Sequence, residues 1–251
     1  MHNLFLKGMG CLAVFWAVLP LSAEMLVYTS KWEILSYEAQ QFPQDAPSPW
    51  AYASVTSTNG TRQIDDNEIL NVNTTGSNGQ HRYRKSMTKF NRQGDGYIIS
   101  LCMALVANET TLAYRGRSDA AFSMLITDAV GVTSGQTYCV GIDNVAIATA
   151  STTDGALRTN VLFSTIFSDY NARIQNVYMI KRDVAALEVY VNGQLLFRDT
   201  GFESTTGGPT SESIMEFGDR ATSFDCNFAL DYLRAGQFYI PPPRGTCIAI
   251  Q

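Results

Sequence analysis

Along most of the chain, short apolar runs alternate with polar turns at a spacing that suits strands rather than helices. "GYIISLCMALVA" (residues 96–107) is rich in β-formers, and its apolar positions fall on both faces, as in a central strand covered on each side. "AAFSMLITDAVG", "QTYCVGIDNVAIATA" and "RIQNVYMIKR" repeat the pattern between turns. In "ALEVYVNGQLLFRDT" two β-rich runs flank Asn192-Gly193, the pair that best tolerates the positive φ angles of a type I′ turn, so this segment reads as a hairpin. Clusters of Pro, Gly, Ser, Thr and Asn such as "FPQDAPSPW" and "ESTTGGPTSES" mark loops, none long enough for an interdomain linker. No amphipathic helical pattern and no fixed-period repeat stands out. The reading is one all-β domain, a two-sheet antiparallel sandwich of jelly-roll type.

The first residues stand apart from this pattern. Lys7 precedes an uncharged apolar run from Met9 to Leu21, and "LSA" ends in a small residue at Ala23. That is the form of a secretory signal peptide over residues 1–23, too short for a membrane span, with residues 24–251 as the domain. No second stretch of spanning length follows, so the expectation is an exported protein without a transmembrane segment, secreted, periplasmic or at the cell surface. The formal net charge of −5 offers no basic footprint, and nucleic-acid binding is set aside. Beyond the signal peptide stand Cys102, Cys139, Cys226 and Cys247. An even number in an oxidising compartment points to two disulfides with three possible connectivities. Cys226–Cys247 would pin the tail to the body, and Cys102–Cys139 would link two strands. No C-x-x-C spacing marks a zinc or redox site.

Three segments near the C-terminus, "LEVYVNGQLLFRDT", "IMEFGDRAT" and "FALDYLRAG", together resemble the closing sequence of the concanavalin A-like lectin and glucanase superfamily, the laminin-G-like jelly rolls. Upstream, "DDNEILNVNTTG" followed by "HRYRKS" is similar to their opening strands. The match runs in order through most of residues 24–251, and no particular family within the superfamily is recognisable. The resemblance implies that Asp231, in a "D-Y-V-R"-like final strand, can help hold a structural calcium on the sheet's outer face. The plainer alternative is an ion pair with nearby Arg234, taken to lie on the same face of the strand.

Several enzymes share the fold, so paired carboxylates matter. Retaining glycosidases need two of them about 5 Å apart. In "ESIME", Glu212 and Glu216 occupy the ends of the E-x-D-x-E pattern of laminarinase-type glucanases, but Ile214 replaces the central Asp and the motif lies late in the chain. Asp65, Asp66 and Glu68 form a turn cluster of hard oxygen ligands without the spacing of a known calcium loop. "DYLRAGQFY" is similar to an alginate-lyase signature, whose partner strands this chain lacks. His81, the sole histidine after the signal peptide, leaves little for a Ser-His-Asp scheme. It sits in "HRYRK", where alternation puts His81, Tyr83 and Lys85 on one face and Arg82 and Arg84 on the other. That stretch reads either as an anionic-glycan contact or as a solvated edge strand.

Trp50, Tyr83 and Arg84 are the candidate ligand contacts. Asn59, Asn73 and Asn108 head N-x-T sequons in turn-like segments. The leading expectation is a secreted, non-catalytic, lectin-like module binding an extracellular polysaccharide or other glycan. The alternatives are a hydrolase or lyase of the same fold with a non-standard site, and a structural or protein-binding surface module. Each rests on fold-level analogy.

Overall fold

The computed structural model describes residues 33–55, 60–75, 80–86, 90–91, 96–108, 122–129, 136–151, 157–165, 167–202, 214–219 and 226–237. The expected signal peptide, Glu212 and Cys247 lie outside them. Sheet A contains β1 (Glu33–Glu38), β3 (Thr61–Ile64), β4 (Leu70–Asn73), β7 (Tyr97–Asn108), β12 (Asn176–Arg182), β13 (Leu187–Val191), β14 (Gln194–Asp199) and β16 (Cys226–Gln237). Sheet B contains β2 (Ala51–Val55), β5 (Gln80–Ser86), β6 (Phe90–Asn91), β8 (Phe122–Ala129), β9 (Gln136–Ile142), β10 (Ala146–Ser151), β11 (Leu157–Leu162) and β15 (Ile214–Asp219).

Sheet A runs in the order β14-β13-β12-β7-β16-β4-β3, with β1 also pairing with β16. Sheet B runs β11-β10-β9-β8-β15-β5-β2, with β6 added to β8. All pairings are antiparallel except β6 with β8. The two stacked sheets form the jelly-roll sandwich that the alternating pattern predicts. The hairpin at Asn192-Gly193 is present, with φ of 51° and 80°, both in the left-handed region that a type I′ turn needs.

Alternation decides what each strand buries. On β7, Tyr97, Ile99, Leu101, Met103 and Leu105 point into the core, and Ile98, Ser100, Cys102 and Ala104 onto the outer face of sheet A, where they are also buried. β7 lies centrally between β12 and β16, as its two-faced apolar pattern requires. In sheet B, Phe217 anchors the core against Trp50, Tyr83, Tyr37 and Phe122, at centroid distances of 4.9, 5.3, 6.1 and 6.3 Å. Burying an aromatic side chain of this size is among the largest single contributions to such a core.

One polar group of residues crosses the core. Tyr97 of sheet A donates to Asp128 Oδ2 of sheet B at 2.9 Å and meets Tyr138 Oη at 2.7 Å. Arg182, also fully buried, approaches Asp128 at 3.8 Å and donates from Nη2 to the Phe202 carbonyl at 2.7 Å. A charge this deep requires a partner, and the two sheets supply it jointly.

The expected Cys102–Cys139 disulfide does not form. Cys102 points outward from sheet A, whereas Cys139, with Leu125, points outward from sheet B. The thickness of the sandwich separates them, well beyond the Cα separation a disulfide tolerates. Cys226 is buried at the start of β16. Its expected partner Cys247 is outside the described residues.

Candidate functional site

β5 is an inner strand between β2 and β15, not an edge. Its inward side chains His81 and Tyr83 are buried, and Arg82 and Arg84 stand on the outer face of sheet B. Two expected ligand contacts are thereby corrected: Trp50 and Tyr83 are core residues, 1% and 0% exposed, packed against Phe217 because the apolar side of β5 and β2 closes the sandwich. Arg84 remains accessible, with 41% of its side chain exposed.

Glu216 lies opposite Arg84 on β15, fully buried. Arg84 Nε donates to Glu216 Oε2 at 2.9 Å, and Arg82 Nη1 donates to Oε1 at 3.1 Å. Both carboxylate oxygens are thus held by guanidinium groups, and the buried charge is compensated. Among the described residues of β5 and β15, Glu216 is the only carboxylate on this outer face. The pairing that a retaining glycosidase requires is not assembled by them.

Cross-strand register builds a lane beside this cluster. Gly218 pairs with Arg82 on one side and Ser123 on the other, Ser123 pairs with Gly141, and Gly141 with Ala148. Residues directly opposite share a face, so the row across four strands past Arg82 is made of glycine, serine and alanine. Gly218 is required here: its φ is 125°, and a β-carbon would collide with the His81 carbonyl oxygen. Two polar atoms along the row, Ser123 Oγ and Arg82 Nε, are buried without a hydrogen-bond partner. An unsatisfied buried donor costs about 1–3 kcal/mol, so native structures seldom leave one without a reason.

Elsewhere the candidate residues are absorbed by the fold. Asp65 accepts hydrogen bonds from the Asn67 and Ile69 amides and from Asn71 Nδ2, which hold its carboxyl below the usual range, with the Ile69 contact foremost. It organises the β3–β4 turn. His81 meets Tyr52 Oη through Nδ1 at 2.6 Å, and burial, then the Arg62 charge, lowers its pKa. Asp231 stands at a bulge in β16, beside the Cys102 thiol. Its alternative partner Arg234 instead grips Glu38 through two nitrogens at 2.7 and 2.8 Å. Among the described residues no three His, Cys, Asp or Glu side chains gather as a metal site. Two cavities of about 280 Å³ open away from the Glu216 cluster, one at Phe163, Phe167 and Tyr170, the other at Glu38, Gln41 and Ser48.

Ser123, Gly218 and Gly141 escape sequence reading because each is unremarkable in its own strand. Only the pairing of β15 with β5 and β8, and of β8 with β9, puts them in one row.

No protein-family model matches the chain, and no curated protein matches it in sequence. Solved structures do. A carbohydrate esterase from the Shiga toxin-encoding bacteriophage phi24B superposes with a TM-score of 0.55 at 9% identity, over 82% of this chain and 99% of that one. The binding domain of botulinum neurotoxin DC, solved with rat synaptotagmin II, gives 0.50 at 14% identity over 84% of this chain, which spans only 49% of the toxin chain. A Bacillus licheniformis β-glucanase gives 0.48 at 12% identity, over 82% of this chain and 98% of that one. The fold is that of the concanavalin A-like jelly rolls.

Proposed function

We propose that this chain is an exported, non-catalytic module that binds carbohydrate on the outer face of sheet B. The observation that carries the proposal is the arginine pair on this face, Arg84 41% and Arg82 23% exposed, set on the buried carboxylate of Glu216. Ligand oxygens are suited to the exposed guanidinium N–H groups, which are donors only. Catalysis is disfavoured by the state of Glu216, whose two oxygens are committed to Arg82 and Arg84. Its companion in the sequence motif, Glu212, is outside the described residues. A carbohydrate esterase of the same fold supports a carbohydrate ligand as analogy only, and export rests on the signal-peptide pattern of residues 1–23.

The test is a glycan panel probed with the protein, together with a reducing-end assay on the same polysaccharides. The expected result is retention of at least one glycan class without bond cleavage. Retention of no glycan, or cleavage that Glu216→Gln abolishes, would overturn the proposal. Capture of a protein partner that sugars do not displace would favour a protein-binding module instead.

A further inference from the structure

From the charge on the same face we infer that the ligand is an acidic glycan, carrying a carboxylate or sulfate group that docks on Arg84 and Arg82. This inference rests on the carbohydrate-binding reading above and adds the ligand's chemistry to it. Among the described residues two guanidiniums face a single carboxylate, Glu216, which leaves that set one positive charge in surplus. The chain as a whole has a net charge of −5, so this surplus runs against the overall field. Among the described residues, neither arginine has another acidic partner.

Donor geometry points the same way. Arg84 uses only Nε on Glu216, and its two Nη groups make no hydrogen bond among the described residues. The side chain is 41% exposed, and the two Nη groups form the donor fork that its bond to Glu216 leaves unused. The fork matches the two oxygens of a carboxylate or sulfate, an arrangement the ammonium of a lysine does not reproduce. Arg82 is 23% exposed, and its Nε is a buried donor without an acceptor. A neutral sugar would leave the surplus charge uncompensated.

The test titrates the full-length protein with polygalacturonate, dextran sulfate and a neutral β-glucan at low salt and at roughly 0.5 M salt, where screening of exposed charges is strong. The carboxylate and sulfate arms separate the two sources of the anion. The expected result is an affinity for at least one acidic polymer about tenfold or more above that for the neutral glucan, reduced by salt. Arg84→Gln should lower that affinity by about tenfold, and Glu216→Gln, which leaves both arginines uncompensated, should raise it. Melting curves establish that each variant is folded, and the salt response of the unaltered protein stands without either variant. Neutral glucan binding as tight as the acidic polymers and insensitive to salt would overturn the acidic ligand while leaving carbohydrate binding intact. Acidic-polymer binding unchanged in a folded Arg84→Gln variant would remove Arg84 as the dock. Failure of all three polymers would overturn the inference, and failure of the whole glycan panel would overturn the carbohydrate reading with it.

Discussion

On the outer face of sheet A, Arg234 holds Glu38 at 2.7 and 2.8 Å, and Lys181 and Arg198 share Glu188 at 3.5 and 3.3 Å. On the outer face of sheet B, two arginines share the one buried carboxylate of Glu216, and Arg82 Nε and Ser123 Oγ have nothing to bond. Each of these three described cations of the first face has a local carboxylate, and the middle of that face is filled by Ile98, Met179 and Tyr190. The second face is cationic at one side, and the row of small residues beside the arginines is buried. Self-satisfied charges describe a surface that stabilises its own sheet. Surplus donors on half-exposed arginines describe one that is completed by something else.

Substitution separates the two faces most sharply at Gly218. Gly218→Ala places a β-carbon against the His81 carbonyl at a φ of 125°, and should destabilise the protein by about 3 kcal/mol or more, measured by denaturant unfolding. Next come the two carboxylates. Glu216→Ala exposes an unbalanced pair of arginines and should cost about 3 kcal/mol, a fall in Tm of roughly 6–12 °C. Glu38→Ala removes a half-exposed partner and should cost about 1 kcal/mol or less. Equal losses at the two sites would erase the distinction between the faces.

The sandwich was legible because period-two alternation and the Asn192-Gly193 turn are local signals. The site was not. Alternation correctly separates Arg82 and Arg84 from His81 and Tyr83, but which side meets the core depends on β5 lying between β2 and β15, strands far apart in sequence. The same non-locality moved Trp50 from a presumed ligand edge into contact with Phe217, and set Cys102 and Cys139 on opposite outer faces. Glu216 could be picked out as a carboxylate of interest. Its buried, doubly paired state could not, since both arginines reach it through strand pairing.

Smaller effects follow from the titratable groups. Burial foremost, then the charge of Asp231, pushes the Cys102 thiol up to about 11 from an ordinary 9.0. Its thiolate population near pH 8 should be about a hundredfold below that of an ordinary cysteine, so native-state alkylation followed by mass spectrometry should find it slow. Rapid labelling would contradict the packing of sheet A's outer face. His81 titrates near 6.5 when unfolded and lower when folded, because burial disfavours its charged form. Below about pH 6.5 the unfolded chain therefore binds the proton first, and stability falls with pH until the folded value is passed. Urea unfolding between pH 7 and 5 should show this slope, and His81→Gln should flatten it.

The division between a binding face and a catalytic one is tested most directly by Glu216→Gln, assayed beside the unaltered protein for both glycan binding and glycan cleavage. The account predicts that neither protein cleaves and that the variant binds an acidic glycan at least as tightly, since its arginines lose a competing carboxylate. Cleavage by the unaltered protein that disappears in the variant would contradict it.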